Sequence, residues 1–209
     1  MKNSSAVILF LLCVVSILAK GETRVGLMAG LDLSSANVSL TTGNLTFSNG
    51  SGARAGFAGG AFVEQALSPI FYLQPELMYV QEGGNWSNSS GTFAFDYDCL
   101  ELPVLLKAKL GNQTIQGEIF TGPGLSINLA KSLSVSSNSG SSTSASPNDI
   151  NSVDISLQFG AGVEVAIAPT ASVFLDARYM LGLLNLVNYQ NFTGKLSGFL
   201  FLGGVSLAI

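Results

Sequence analysis

A strictly alternating segment in the second half of the chain constrains the fold more than any other feature. Residues 153–167 read V-D-I-S-L-Q-F-G-A-G-V-E-V-A-I, so every odd position is apolar and every even position is polar, charged or small. A period of two predicts a β-strand with one apolar and one polar face. The segment is longer than the usual strand of about 5–6 residues. The fold therefore depends on whether the apolar face meets a protein core or lipid.

The composition leaves two main classes of protein open. Of the 209 residues, 47% are hydrophobic and only 11% are charged, against about 25% charged in typical soluble proteins. No internal apolar run reaches the roughly 20 residues that a membrane-spanning helix needs. The chain is therefore expected to be either a buried soluble β-protein or a membrane β-barrel.

The N-terminal residues predict a secretory signal peptide. Lys2 supplies a positive charge, residues 6–19 are almost entirely apolar, and the small Ala19 suits cleavage. We expect residues 1–19 to be removed, leaving one barrel domain over 20–209. Cleavage would leave Cys99 alone and would exclude an internal disulfide.

Strand-like runs recur along the whole mature chain, and the connections between them alternate in length. The runs cover residues 24–33, 54–64, 70–80, 100–110, 114–129, 153–167, 172–183 and 194–209. The long connections, 34–52, 81–95, 130–152 and 184–193, are rich in Ser, Asn, Gly and Thr, and short turns join the other runs. Short turns at one rim and long loops at the other are typical of outer-membrane barrels. The predicted fold is an all-β, eight-stranded antiparallel up-and-down transmembrane barrel with short periplasmic turns and long extracellular loops.

The position of the charged residues decides which face meets lipid. Within the core segments of the first seven predicted strands, every charged residue lies on the polar phase and none falls on the apolar phase. A Lys or Arg facing lipid costs about 2–4 kcal/mol at the bilayer midplane, whereas a soluble lipocalin-like barrel needs its apolar face inside. We therefore assign the apolar face to lipid. Aromatic residues near the strand ends suit interfacial girdles: Phe57, Phe71, Tyr79, Tyr97, Tyr179 and Phe199.

The polar phase predicts a filled lumen, because the interior of an eight-stranded barrel is only wide enough for side chains. Buried charges need partners, so the inward residues are expected to form a structural polar network. Its members are Glu64, Glu76, Glu101, Lys107, Glu118, Glu164, Asp176 and Arg178. Because acids outnumber bases on this face, a proton or ion relay is the functional alternative to a packed polar core.

Several kinds of chemistry are not expected. The chain contains no His, which removes Ser-His-Asp and Cys-His nucleophilic sites and His-based zinc ligation. We expect no catalytic residues, no cofactor and no metal, and the net charge of −4 argues against a nucleic-acid partner. The chain is not expected to be an enzyme.

Six short stretches together carry a resemblance to a known family: GFAGGAFVE at 56–64, QPELMYVQEG at 74–83, LELPVLLK at 100–107, TGPGL at 121–125, GAGVE at 160–164 and DARYMLGL at 176–183. As a set they resemble the PorT-like family of small outer-membrane β-barrel proteins. The resemblance implies an eight-stranded barrel that tolerates Pro103 and Pro123 inside strands, where we expect local bulges. Named members of the family relate to protein secretion, and the resemblance assigns no residue a catalytic role.

The sequence thus predicts a bacterial outer-membrane barrel, exported by its signal peptide and surrounded by lipid. Its expected role is that of a structural protein whose extracellular loops contact a protein partner. The alternatives are an accessory component of protein secretion, or a narrow channel or carrier of a small ligand.

Overall fold

The predicted runs form one closed antiparallel sheet. The computed structural model describes residues 21–42, 45–88, 91–137, 142–145, 152–184 and 192–209. The predicted signal peptide, residues 1–19, lies outside these described residues. The strands are β1 (Thr23–Thr42), β2 (Leu45–Gly50), β3 (Arg54–Ala66), β4 (Phe71–Asn88), β5 (Gly91–Gly111), β6 (Ile115–Ser137), β7 (Ser142–Ala145), β8 (Val153–Ala168), β9 (Ala171–Gly182) and β10 (Phe192–Ala208).

Eight of these strands build the barrel wall, in the order β10-β9-β8-β6-β5-β4-β3-β1. The wall closes where β1 pairs with β10, from Arg24 opposite Ala208 to Leu40 opposite Phe192. The two short strands, β2 and β7, add to β1 and β6 at the end with the long connections. The predicted fold class is confirmed: an eight-stranded antiparallel barrel in which each wall strand pairs with its neighbours in the chain.

The short turns lie together at one end of the barrel. Residues 67–70 join β3 to β4, residues 112–114 join β5 to β6, and residues 169–170 join β8 to β9. Just before the second of these turns, Gly111 at the end of β5 has a φ of 148°, which favours glycine. Asn112 Oδ1 then accepts hydrogen bonds of 2.8 Å from the backbone N–H groups of Thr114 and Ile115, a local bond typical of Asn in turns.

The predicted boundaries of the long connections are wrong, because strand pairing continues through much of their described part. The connection at 34–52 continues β1 to Thr42 and returns as β2, and the connection at 81–95 holds the ends of β4 and β5 up to Asn88 and from Gly91. Ser, Thr and Asn residues can pair as strands in water, so pairing need not stop where the apolar alternation stops. At 130–152 the strand β6 continues to Ser137 and β7 follows, while the connection at 184–193 falls mostly outside the described residues.

The outer face is apolar, as the charge phase predicts. Large apolar side chains stand exposed on every wall strand, with Leu27 64% exposed on β1 and Leu175 69% exposed on β9. Tyr179 contacts both Phe159 and Phe199 on this face, with ring centroids 5.3 and 4.9 Å apart. One aromatic prediction is wrong: Tyr97 is completely buried, because the alternation that puts Glu101 inside β5 also puts residue 97 inside.

The expected bulges at Pro103 and Pro123 are also absent. The register is the same on both sides of these prolines, and the irregularity between β5 and β6 falls at Asp98 and Cys99. Each proline therefore occupies a regular strand position without changing the pairing. In the described part of the chain, no helix is long and apolar enough to cross a membrane.

Candidate functional site in the barrel lumen

The polar face of the wall surrounds a lumen filled by side chains. All eight residues of the predicted network lie on this face and are at most 6% exposed. The structure brings seven of them into one set of ion pairs on the short-turn side, and it places Glu101 apart from that set.

Arg178 is the most enclosed cation of the lumen. It stands on β9, and its side chain is 0% exposed. Its Nη1 donates to Glu76 Oε2 at 2.7 Å and its Nη2 donates to Asp176 Oδ2 at 3.0 Å. Gln74 also donates to Glu76, at 2.6 Å. One guanidinium therefore ties β4 to β9 across the interior with charge-assisted hydrogen bonds, which are stronger than neutral ones.

Two lysines on β5 hold the next group of carboxylates. Lys109 Nζ lies 2.6 Å from both Glu64 Oε1 and Glu164 Oε2, and 3.8 Å from Glu118 Oε2. Lys107 Nζ lies 2.8 Å from Glu118 Oε1. These contacts join β3, β5, β6 and β8, so the two ammonium groups provide counter-charges for three acids from other strands.

The same three acids form a group with metal-ligand spacing. One carboxylate oxygen each of Glu64, Glu118 and Glu164 lies within 4.8 Å of the others, the one such group among the described residues. Lys109 already lies within hydrogen-bonding distance of two of these acids. Because its ammonium supplies the positive charge, this group does not require a metal ion.

Aromatic rings fill the space around these cations, a feature that the sequence reasoning missed. Phe62, Phe120 and Phe174 are buried in the lumen. Lys107 Nζ lies 5.1 Å from the ring centroid of Phe120 and 5.8 Å from that of Phe174. Phe62 and Phe174 meet edge to face at 5.5 Å. Cation–π contacts of this kind add to the stability of desolvated charges.

Each of the three rings lies against a glycine on the neighbouring strand. The opposed residues are Gly26 with Phe62, Gly160 with Phe120, and Gly204 with Phe174. A Cβ added at any of these glycines would lie between 2.3 and 2.8 Å from ring carbons. The signal in the sequence is a glycine that faces a phenylalanine, and it becomes visible only when the strand register is known.

Glu101 belongs to a second polar group, on the side of the long connections. Its Oε1 accepts hydrogen bonds from Gln158 Nε2 at 2.8 Å, Ser156 Oγ at 3.1 Å and Ser126 Oγ at 3.4 Å. No buried lysine or arginine of the described residues donates to it. Three further acids in this half are 5% exposed or less, and the predicted network omitted them: Asp32, Glu82 and Asp154.

The short-turn mouth holds a pocket of about 500 Å³. Arg24 crosses it, with Nη1 2.6 Å from Glu164 Oε1 and 2.8 Å from Ser172 Oγ, and with Nε 2.9 Å from Glu22 Oε1. Lys109 and Tyr72 also line the pocket. The pocket therefore reaches inward as far as the buried ion pairs of Lys109, which close its inner end.

Comparisons with known proteins agree with this architecture. Residues 18–188 match the family described as "Outer membrane protein beta-barrel domain". No curated protein sequence matches the chain. Outer membrane protein OprG from Pseudomonas aeruginosa is similar in structure, with a TM-score of 0.52, 10% identity, and 92% of this chain and 99% of that chain covered.

Two other solved barrels are similar at lower scores. Neisserial surface protein A has a TM-score of 0.47 and 16% identity, with 91% of this chain and 100% of that chain covered. The attachment invasion locus protein Ail of Yersinia pestis has a TM-score of 0.39 and 15% identity, with 90% of this chain and 99% of that chain covered.

Proposed function

This chain belongs to the outer membrane protein beta-barrel domain family, and from that premise we propose that it is a structural barrel that presents its long connections to a protein partner. The coarser statement, a β-barrel protein of the bacterial outer membrane surrounded by lipid, follows from the family and the fold. Our proposal goes further on three points: the lumen is filled by structural side chains, the long connections are displayed, and they contact a protein partner.

One observation carries this proposal: buried ion pairs cross the lumen between strands on different sides of the barrel. The Arg178 guanidinium joins β9 to β4, and the Lys109 ammonium joins β5 to β3 and β8. A lumen packed in this way favours a structural role over a channel or carrier. It also favours a packed polar core over a proton or ion relay. Three buried cations, Lys107, Lys109 and Arg178, stand among the carboxylates of the lumen, and their charge opposes the passage of a proton or cation.

The arrangement of the two barrel ends supports display on one side. The long connections and the added strands β2 and β7 lie at the end opposite the short turns. In outer-membrane barrels the short turns are periplasmic and the long connections extracellular, which assigns the display surface to the outside. We also propose that the protein is exported by the signal peptide that the N-terminal residues 1–19 predict. A non-enzymatic role accords with the absence of His from the chain.

A role as an accessory to protein secretion is the alternative. It rests on the resemblance of stretches such as residues 74–83 and 100–107 to PorT-like proteins. An accessory component would remain bound to a large envelope complex after mild extraction, whereas a display barrel would be recovered alone or with a partner at its loops.

Excision of the longest connection tests the display function. Asn128 N–H donates to Ser152 O at 2.8 Å, so these two residues already lie side by side. Deleting residues 132–150 leaves four residues, 129–131 and 151, to connect them. We expect the shortened barrel to fold and to keep its heat-dependent shift in electrophoretic mobility. We also expect it to lose partners that cross-link to the wild-type protein on whole cells.

The matched control replaces Gln113, in the short turn at the opposite end, with alanine, and this variant should keep those partners. The proposed display function is contradicted if the excised barrel fails to fold, or if it keeps every partner of the wild type. Recovery of a large complex that is independent of 132–150 would favour the secretion accessory.

A further inference from the structure

Two acids of the lumen, Glu118 on β6 and Asp176 on β9, face each other across a glycine. Gly162, on the intervening strand β8, is opposite Glu118 in one pairing and opposite Asp176 in the other. A Cβ added at Gly162 would overlap Asp176 Oδ1 and would lie 3.0 Å from Glu118 Oε1. Because glycine has no side chain to separate the two carboxyl groups, they come close enough for a direct hydrogen bond.

Each of these carboxyl groups has one oxygen that bonds a base and one oxygen that no donor reaches. Lys107 Nζ donates to Glu118 Oε1 at 2.8 Å, and Arg178 Nη2 donates to Asp176 Oδ2 at 3.0 Å. Among the described residues, no hydrogen bond reaches Glu118 Oε2 or Asp176 Oδ1, although both side chains are at most 1% exposed. Buried acceptors of this kind are rare, and each calls for a partner.

The charges of the short-turn half give the same indication independently. Among the described residues, five buried acids face four bases: Glu64, Glu76, Glu118, Glu164 and Asp176 against Arg24, Lys107, Lys109 and Arg178. Arg24 also pairs with the exposed Glu22, so at least one negative charge is in excess when every acid is ionised. Glu64 and Glu164 bring an oxygen within 4.8 Å of one of Glu118, which adds repulsion. A buried acid without a counter-charge takes up a proton.

The excess charge falls on the pair. Around Lys109 the charges balance, because Arg24 adds a second base to the two acids there. Lys107 and Arg178 remain, and they face three acids: Glu76, Glu118 and Asp176. Glu76 accepts separate hydrogen bonds from Arg178 and Gln74. The other two acids contact each other, and carboxyl groups in contact do not both stay ionised.

We propose that Glu118 and Asp176 share one proton across Gly162, and that this proton forms a pH-sensitive lock between β6 and β9. It supplies the hydrogen that the two free oxygens lack, and it removes the excess negative charge. A hydrogen bond between a carboxylic acid and a carboxylate is charge-assisted and therefore strong. This inference concerns the closed lumen and does not depend on the proposed display function.

The lock holds in acidic and neutral solution and opens when the pH is high enough to remove the proton. In the unfolded chain the two carboxyl groups are separate and ionised at neutral pH, so the folded barrel binds about one proton more. Where the folded state binds more protons, the free energy of unfolding falls as the pH rises. A loss of stability on the alkaline side of neutrality is therefore the signature of the pair.

The variants Glu118→Gln and Asp176→Asn test the lock, because each replaces the shared proton with a permanent amide donor and removes one acid. In urea unfolding from lipid vesicles at a series of pH values, the wild type should lose stability with rising pH more steeply than either variant. The difference in slope should correspond to about one proton. Infrared spectra of the folded wild type at neutral pH should contain a C=O band of a protonated carboxyl group that both variants lack.

Glu22→Gln is the matched control, because Glu22 is an exposed acid at the short-turn mouth, and it should keep the band and the pH slope of the wild type. Absence of a protonated carboxyl band from the wild type overturns the proposal even if both variants fail to fold. A folded variant that keeps every such band, or that matches the pH slope of the wild type, also overturns it, because the proton would then lie elsewhere.

Discussion

Replacing Arg178 with methionine should lower the free energy of unfolding by about 3–5 kcal/mol, the usual cost of removing one partner from a buried ion pair. The guanidinium is completely enclosed and bonds both Glu76 and Asp176 at 2.7 and 3.0 Å. The variant would leave two carboxylates in a lumen that excludes bulk water. Urea unfolding of the barrel from lipid vesicles, followed by tryptophan fluorescence, measures the difference.

A second arginine provides the control for this experiment. Arg54 pairs with Asp96 at 2.7 Å, but both side chains are a quarter to a third exposed, so Arg54→Met should cost no more than about 1 kcal/mol. Adding Glu76→Gln and Asp176→Asn to Arg178→Met should restore most of the lost stability, because no buried charge is then unpaired. Equal effects of the two arginine substitutions would show that the central ion pairs do not hold the lumen together.

Replacing Gly204 with alanine should destabilise the barrel by about 1–3 kcal/mol, the typical cost of overpacking a filled interior. An added Cβ would lie 2.5 Å from Cζ and 2.7 Å from Cε1 of Phe174, and would also meet the carbonyl oxygen of Leu27. Phe62 and Lys107 already lie against this ring, at 5.5 and 5.8 Å from its centroid, which limits how far it can move to accommodate the added Cβ. The same urea titration measures the effect.

The neighbouring glycine faces outwards and serves as the matched control. At Gly203 an added Cβ would meet only the side-chain end of Leu175 at 3.1 Å and the carbonyl oxygen of Phe174 at 3.7 Å, so Gly203→Ala should change the stability by less than about 0.5 kcal/mol. A larger loss at Gly203 than at Gly204 would contradict the assignment of the two faces.

The strands and their faces could be predicted from the sequence because lipid imposes a simple rule. A charged side chain on the outer face is costly near the middle of the bilayer, so the phase that carries Glu64, Lys107 and Arg178 identifies the inside of each strand. The same rule carries no information outside the lipid. The strands β1 and β4 therefore extend past the predicted ends, to Thr42 and Asn88, where only backbone pairing decides the structure.

The details of the lumen could not be predicted because they depend on contacts between strands. Phase shows that Glu76 and Arg178 both point inward, but their pairing at 2.7 Å depends on the barrel width and the register of strands that are not adjacent. Glu82 was missed because the glycines and asparagine after it indicate a loop. The structure instead continues β4 through it and buries its side chain in the lumen.

Single-barrel current recording in planar bilayers tests the central claim, a lumen closed by its own side chains, most directly. With the folded wild-type protein inserted and a known porin as the positive control, we predict no stepwise current above that of a protein-free bilayer. Stable porin-like current steps from the wild-type protein would contradict the account, because a continuous water path cannot pass through ion pairs in which Arg178, Lys107 and Lys109 fill the interior.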